Sequence, residues 1–95
     1  MGYTFYDMMP QVYAKSGWFD VPRLTNGFMV TNTGDTIVKV NDQVFYPGVP
    51  GISLGDSKSF GGNQGEVYAG RLKVSFQTPI GAAPQIEVTY KVYVN

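Results

Sequence analysis

The end of the chain shows the clearest alternation of apolar and polar residues. From Ile86 to Val94 every second residue is apolar, and the residues between them are mostly polar. Arg71–Gln77 alternates in the same way, with Leu72, Val74 and Phe76 as its apolar positions. Successive side chains of a strand point to opposite faces of its sheet. Both segments are therefore predicted strands, each with one face on a core.

Shorter β-rich segments fill the middle of the chain. Thr36–Val40 and Gln43–Tyr46 flank the pair Asn41-Asp42. Asn and Asp tolerate the left-handed backbone of a two-residue hairpin turn, so these segments are expected to form a hairpin. Three further strands are predicted at Phe28–Asn32, Ser57–Phe60 and Glu66–Ala69.

The predicted elements define the fold class. Short β-rich segments separated by turn residues are typical of a sandwich or barrel, and no stretch of ten residues carries a helical stripe. The total is six to eight short strands, antiparallel because their connections are brief. We therefore predict an all-β fold, a small antiparallel β-sandwich or jelly-roll-like domain with an extended N-terminal arm.

The arm is predicted because residues 1–24 differ in character from the rest. They hold six of the 14 aromatic residues but show no sustained period, and Pro10, Gly17 and Pro22 interrupt them. A small β-body buries limited surface by itself. We expect residues 1–24 to form an aromatic-rich arm that packs on a neighbour, and residues 25–95 to form the β-sandwich body.

Composition removes several function classes. The 95 residues contain neither Cys nor His, which removes the commonest ligands of zinc, copper, haem and iron–sulfur clusters. Seven basic and seven acidic residues give no net charge, whereas a phosphate backbone requires a basic patch. We expect no cofactor and no nucleic-acid partner.

Membrane association is also not expected. No apolar run approaches the roughly 18–20 residues of a membrane-spanning helix. The first residues lack the basic start and apolar stretch of a signal peptide, so we expect the chain to be used without cleavage.

The candidate catalytic groups have simpler structural explanations. Asp35, Asp42 and Asp56 fall in predicted turns, where Asp bonds its own backbone, and they lack the spacing of a calcium loop. Gly61–Gly65 has no Lys and no following helix, both of which a phosphate-binding loop needs. With no His as general base, we do not expect an enzyme.

The aromatic residues are the strongest candidates for a binding site. Exposed Trp and Tyr rings can stack on sugars, and small β-sandwiches often bind carbohydrates. Aromatic side chains are equally favoured at protein interfaces. Since these residues lie in the unpatterned lead, an interface is preferred, and a carbohydrate- or receptor-binding module, such as a spike or adhesin tip, is the alternative. The predicted partner contacts are Tyr3, Phe5, Tyr6, Trp18 and Phe19.

Several segments of the body carry a resemblance. Phe28–Gly34 (FMVTNTG) is followed by Val38–Asn41 (VKVN), a Pro-Gly loop, and Ser57–Leu72 (SKSFGGNQGEVYAGRL). This arrangement, over roughly residues 28–94, resembles small all-β proteins associated with bacteriophage virions. In those proteins an Asn-containing hairpin and a Gly-Gly-Asn-x-Gly-Glu stretch precede the last strands.

The resemblance implies a structural role in a virion that is assembled in the host cytoplasm. It implies a capsid decoration, cement, minor capsid or vertex protein, whose partners are the major capsid protein or other virion subunits. Such a protein is expected to bind its neighbours through the arm and through sheet edges, since a strand edge can pair with another chain. A homo-oligomer is expected, because such parts are repeated at symmetry-related places. The family supplies no active-site residues.

Overall fold

Eight strands and no helix form the described part of the protein. The computed structural model describes residues 5–49, 51–62, 67–68, 70–77 and 82–94. In chain order the strands are β1 (Phe5–Tyr13), β2 (Gly17–Asp20), β3 (Thr25–Asn32), β4 (Ile37–Val40), β5 (Gln43–Phe45), β6 (Ser57–Gly61), β7 (Arg71–Gln77) and β8 (Ile86–Val94).

The strands form two four-stranded antiparallel sheets. The first, sheet A, has the order β1-β8-β3-β6, and the second, sheet B, has the order β2-β7-β4-β5. The first strand thus pairs with the last, the second with the seventh, the third with the sixth and the fourth with the fifth. A chain paired in this way is one long hairpin wound around a core, which is the eight-stranded jelly roll. The predicted all-β fold class is confirmed.

Alternating side chains from both sheets build the core. In β8, Ile86, Val88 and Tyr90 are fully buried, and Glu87 between them is exposed. Aromatic rings fill the wider part of the core around Phe28, whose neighbours are Phe60, Tyr68 and Tyr90 at centroid distances of 5.0, 5.0 and 5.7 Å. Among the described residues, the buried cluster consists of Phe28, Val30, Val38, Val40, Phe45, Leu72, Val74, Ile86, Val88, Tyr90 and Val92.

The predicted hairpin turn is confirmed. Asn41 and Asp42 join β4 to β5 and have φ angles of 48° and 67°. Two successive left-handed residues twist the chain in the sense that a two-stranded hairpin requires. The two residues between the β-rich segments were therefore a sufficient signal for this turn.

The predicted boundary at residue 24 is wrong for the described residues. Residues 5–13 form β1, which pairs with β8 along its whole length, and residues 17–20 form β2, which pairs with β7. Both strands belong to the jelly roll, not to a separate arm. Most side chains of β1 are exposed because it lies at the edge of sheet A, so the segment lacks the alternation that marks β8. Residues 1–4 lie outside the described part.

Two other expectations differ from the structure. The alternation in β8 predicts Tyr93 on the mostly polar face, together with Glu87, Thr89 and Lys91. Tyr93 lies on that outer face but is buried, and its hydroxyl accepts a hydrogen bond of 2.9 Å from Asn26 Nδ2. Of the strand predicted at Glu66–Ala69, only Val67 and Tyr68 are described, and neither is in a strand.

Candidate functional site

Tyr6 is the first predicted contact residue that the structure places. It lies on the outer face of sheet A, where its ring packs on Tyr93 at a centroid distance of 4.9 Å. Lys91 Nζ lies 3.9 Å from the centre of the Tyr6 ring, within the range of a cation–π interaction. Tyr6 is half-buried by these contacts, which fasten β1 to β8.

Trp18 lies on the opposite side of the molecule. Its side chain is 62% exposed on the outer face of sheet B, and Lys73 Nζ is 5.7 Å from its ring centre. Lys73 also lines a cavity of about 210 Å³ together with Lys39, Asp42 and Ser75. An exposed indole beside polar side chains can accept a planar or sugar-like ligand.

Phe19 points inward and helps to join the two sheets. Its ring lies 4.2 Å from that of Tyr13 in β1, and both pack against the core. The Tyr13 hydroxyl is 3.0 Å from the Tyr90 hydroxyl. Burial and this hydrogen bond raise the pKa of Tyr90 well above its usual range. Phe19 therefore has a packing role in the isolated chain.

The five predicted contact residues do not form one cluster. Phe5 belongs to β1 by its backbone, and Tyr3 lies outside the described residues. Tyr6 and Trp18 face outward from different sheets, and Phe19 faces the core. A contact role for Tyr3 and Phe5 stays a prediction.

An apolar groove crosses the outer face of sheet A. We call it the methionine groove; Met8 and Met29 form its walls and are 61% and 45% exposed. Its floor is backbone, because Gly27 of β3 faces Gly61 of β6. The cavity measures about 250 Å³, and Lys91 is the charged residue that lines it.

The groove depends on the glycine at its floor. A Cβ atom at Gly27 would lie 2.6 Å from both the Phe60 carbonyl oxygen and the Gly62 nitrogen. Real side chains do not approach backbone atoms so closely. Only glycine therefore allows β3 and the end of β6 to approach one another and leave the depression between the two methionines.

A loop between β5 and β6 carries exposed aliphatic side chains. We call residues 47–49 and 51–56 the aliphatic loop: Val49, Ile52 and Leu54 are 49%, 83% and 94% exposed. Two backbone hydrogen bonds join Val49 and Ser53: the Val49 nitrogen donates to the Ser53 oxygen at 3.1 Å, and the Ser53 nitrogen donates to the Val49 oxygen at 2.9 Å.

The base of the aliphatic loop is fixed to the body. The Asp56 nitrogen donates to the Tyr46 oxygen at 2.9 Å, and an Asp56 carboxylate oxygen accepts from the Tyr46 nitrogen at 2.9 Å. Gly55 lies against the Asn32 carbonyl, where a Cβ atom would clash. These hydrogen bonds keep three aliphatic side chains exposed to water, and their exposure costs free energy in the isolated molecule.

Sequence reasoning missed both surfaces. The aliphatic loop did have a signal, since Ile52 and Leu54 lie among turn-forming glycines and a proline where polar residues are usual. The methionine groove had none, because Met8 and Met29 are far apart in sequence and meet only through the β1-β8-β3 pairing.

The chemistry of these surfaces favours binding. Within the residues that the structure describes, no group of three acidic, His or Cys side chains could hold a metal ion. The same residues include no helix able to cross a membrane. The features that do stand out are an apolar groove, an apolar loop and an exposed indole.

Comparison of the chain with protein-family models, with curated proteins and with solved structures found no match.

Proposed function

We propose that the protein is a structural component of a bacteriophage virion, where it binds neighbouring subunits. The observation that carries this proposal is a jelly roll that keeps apolar side chains exposed at the aliphatic loop and the methionine groove. Eight-stranded jelly rolls serve as building blocks in viral capsids and in lectins. The fold alone does not determine function, and the exposed apolar surfaces are what support the capsid use in this proposal.

The surface composition supports assembly over catalysis. Exposed apolar groups that are braced in place mark sites of association with another protein. A chain with seven basic and seven acidic residues has no net charge that would oppose the close approach of many copies. Small residues and methionines at the groove also let the surface adapt to a partner.

The test is the composition of purified particles. Virions banded on a density gradient from lysed host cultures are digested and analysed by quantitative peptide mass spectrometry. The proposal expects peptides of this chain at a fixed ratio to the major coat protein, retained after a high-salt wash. Detection of the chain in the lysate but not in the banded particles would overturn it.

A carbohydrate-binding role is the second candidate, and Trp18 favours it. The exposed indole lies beside a polar cavity on a sheet face, and jelly rolls also occur in lectins. Trp18 is the single tryptophan, so its fluorescence reports directly on that surface. This role expects glycan-array binding that Trp18→Ala abolishes and that Tyr46→Ala, at another exposed aromatic, preserves. An array without binding, together with unchanged Trp18 emission in saturating sugar, would contradict it.

A further inference from the structure

We propose that the aliphatic loop of one copy inserts into the methionine groove of the next copy, so that the protein assembles head to tail. This inference rests on the proposed virion role and names the partner as a second copy of the same chain. It joins two exposed apolar surfaces of the described part that do not belong to the core.

The two surfaces are complementary in shape. The methionine groove is a depression of about 250 Å³ with a glycine floor and flexible methionine walls. A cavity of about 150 Å³ already holds a molecule as large as benzene. The aliphatic loop presents Ile52 in the turn that the Val49–Ser53 pair closes, and Leu54 one residue beyond that pair. One or both of these side chains fit the volume, and the unbranched methionines can adjust around them.

The charges at the two surfaces are opposite. Lys91 is the charged residue that lines the groove. In residues 47–56 the single charged residue is Asp56, at the base of the aliphatic loop. When the tip of the loop fills the groove, its acidic base comes to the rim that Lys91 occupies. Complementary charges of this kind fix the orientation of a contact and exclude like-charged alternatives.

The loop cannot reach the groove of its own copy. The groove lies at the Gly27 end of β3, and the loop packs against Asn32 at the other end. The near wall of the groove, Met29, is three residues from Asn32, about 10 Å along the extended strand, and its glycine floor is about 16 Å away. Because Asp56 and Gly55 are fixed to the body, the contact must form between two copies.

Pairing through the free edge of β1 is a weaker way to self-associate. Pro10 lies in the middle of this edge strand and has no N–H to donate. Proline is accommodated in a sheet where its nitrogen faces away from the neighbouring strand, so Pro10 removes a donor from the free edge. Two different surfaces that meet head to tail give a ring where the rotation closes and a filament where it does not.

Variants at exposed positions test the contact. Leu54→Asp disables the loop and leaves the groove intact, whereas Met29→Glu disables the groove and leaves the loop intact. Both side chains are well exposed, so the variants keep the fold, which circular dichroism verifies. Val12→Glu is the matched control, since Val12 is 57% exposed on the same sheet face but does not line the groove.

The readout is native mass by light scattering and sedimentation over a range of protein concentrations. Wild type and Val12→Glu are expected to form the same ring or filament. Each of the other two variants is expected to associate at least about tenfold more weakly, as the loss of one buried aliphatic contact requires. Mixed together, Leu54→Asp and Met29→Glu are expected to form a 1:1 dimer and nothing larger, because only one intact loop and one intact groove can meet.

Three results would overturn the inference. They are a wild type that stays monomeric at high concentration, single variants that assemble like wild type, and a mixture that forms no dimer. Each of them leaves the virion proposal standing if the chain is still found in purified particles. Absence from particles combined with a 1:1 dimer in the mixture would reject the virion role and keep the contact.

Discussion

Two hydrogen bonds join Asn41, in the turn between β4 and β5, to Lys73 in the neighbouring strand β7. The Asn41 nitrogen donates to the Lys73 carbonyl oxygen at 3.0 Å, and the Lys73 nitrogen donates to Asn41 Oδ1 at 2.9 Å. The β4–β7 ladder, which ends with Val40 opposite Val74, therefore continues by one position through a side chain. Asn41 Nδ2 also donates to the Tyr68 hydroxyl at 3.2 Å. A turn residue thus anchors the hairpin to the middle of sheet B.

Asn41→Gly is expected to destabilise the protein by about 1–2 kcal/mol. Glycine accepts the left-handed backbone of this position but removes both side-chain hydrogen bonds and adds flexibility to the unfolded chain. Urea denaturation measures the change. Asp42→Gly is the matched control: it also has a positive φ but makes no comparable bridge, so its stability should stay within about 0.5 kcal/mol of wild type or rise. Equal stabilities of the two variants would show that the Asn41 side chain contributes nothing.

Asn32→Asp is expected to cost at least about 3 kcal/mol at pH 7. Asn32 is buried, and its Nδ2 donates to the carbonyl oxygens of Thr36 at 2.8 Å and Phe45 at 3.1 Å. A carboxylate in that place would keep the Gly34 N–H that donates to Oδ1 at 3.1 Å, but its second oxygen would face two carbonyl oxygens. A buried charge with a single N–H donor and two opposing carbonyls is costly.

The penalty of Asn32→Asp should shrink at acid pH. The new carboxyl would have a pKa above its unfolded value, because the folded state favours the protonated form that can donate. The loss of stability therefore grows as the pH rises through about 4, which is the pKa of the carboxyl in the unfolded chain, and it is small below that pH. Urea denaturation at pH 3.5 and pH 7 tests this, with the exposed Gln43→Glu as the control for an amide-to-acid change. A penalty that does not vary with pH would contradict the assignment.

The strands whose bounds were predicted best are those with one buried face and one exposed face. β7 and β8 begin and end at the predicted residues, because one face of each packs on the core and the other meets water. β1 was missed for the opposite reason: it is an edge strand with most side chains exposed on both faces. The burial of Tyr93 could not be predicted from the alternation, because it comes from Tyr6 and Asn26 in distant parts of the chain.

The candidate site could be predicted only where local sequence determines it. The exposure of Trp18 on a sheet face follows from its alternation with Phe19, although the strand itself was not recognised. The methionine groove is built on β1, β3 and β6, and β8, the last strand, lies between β1 and β3. Such pairing has no local signal, because the jelly roll brings the first and last strands together.

Gly27→Ala is expected to destabilise the fold by about 2 kcal/mol or more. The added methyl group would meet the Phe60 oxygen and the Gly62 nitrogen at 2.6 Å, and backbone atoms in a paired strand cannot move aside cheaply. Thermal unfolding measures the loss. The control is Ser59→Ala in the neighbouring strand, which is exposed and should change stability by less than about 0.5 kcal/mol. A Gly27→Ala protein as stable as this control would mean that β3 and β6 are not so close.

Tyr90 is expected to make the protein sensitive to alkali. Its pKa is raised in the folded state by burial and by the hydrogen bond with Tyr13, whereas an unfolded tyrosine ionises near pH 10. Above about pH 10 the unfolded state therefore binds fewer protons than the folded state. The free energy of unfolding should fall there by up to about 1.4 kcal/mol per pH unit, and the contribution of Tyr90 should be constant below.

Tyr90→Phe tests this sign directly. The variant should be less stable than wild type near neutral pH by about 0.5–1.5 kcal/mol, because the Tyr13 hydroxyl loses its partner. Above pH 10 its unfolding free energy should fall less steeply, so the two stability curves converge or cross. Urea denaturation between pH 8 and about pH 11.5 gives both curves, and the exposed Tyr46→Phe is the control that should retain the wild-type slope. Parallel curves for wild type and Tyr90→Phe above pH 10 would rule out a buried, neutral Tyr90 as the cause of the alkaline loss of stability. The slope of the curve reports the proton that the unfolded chain releases and the folded chain keeps.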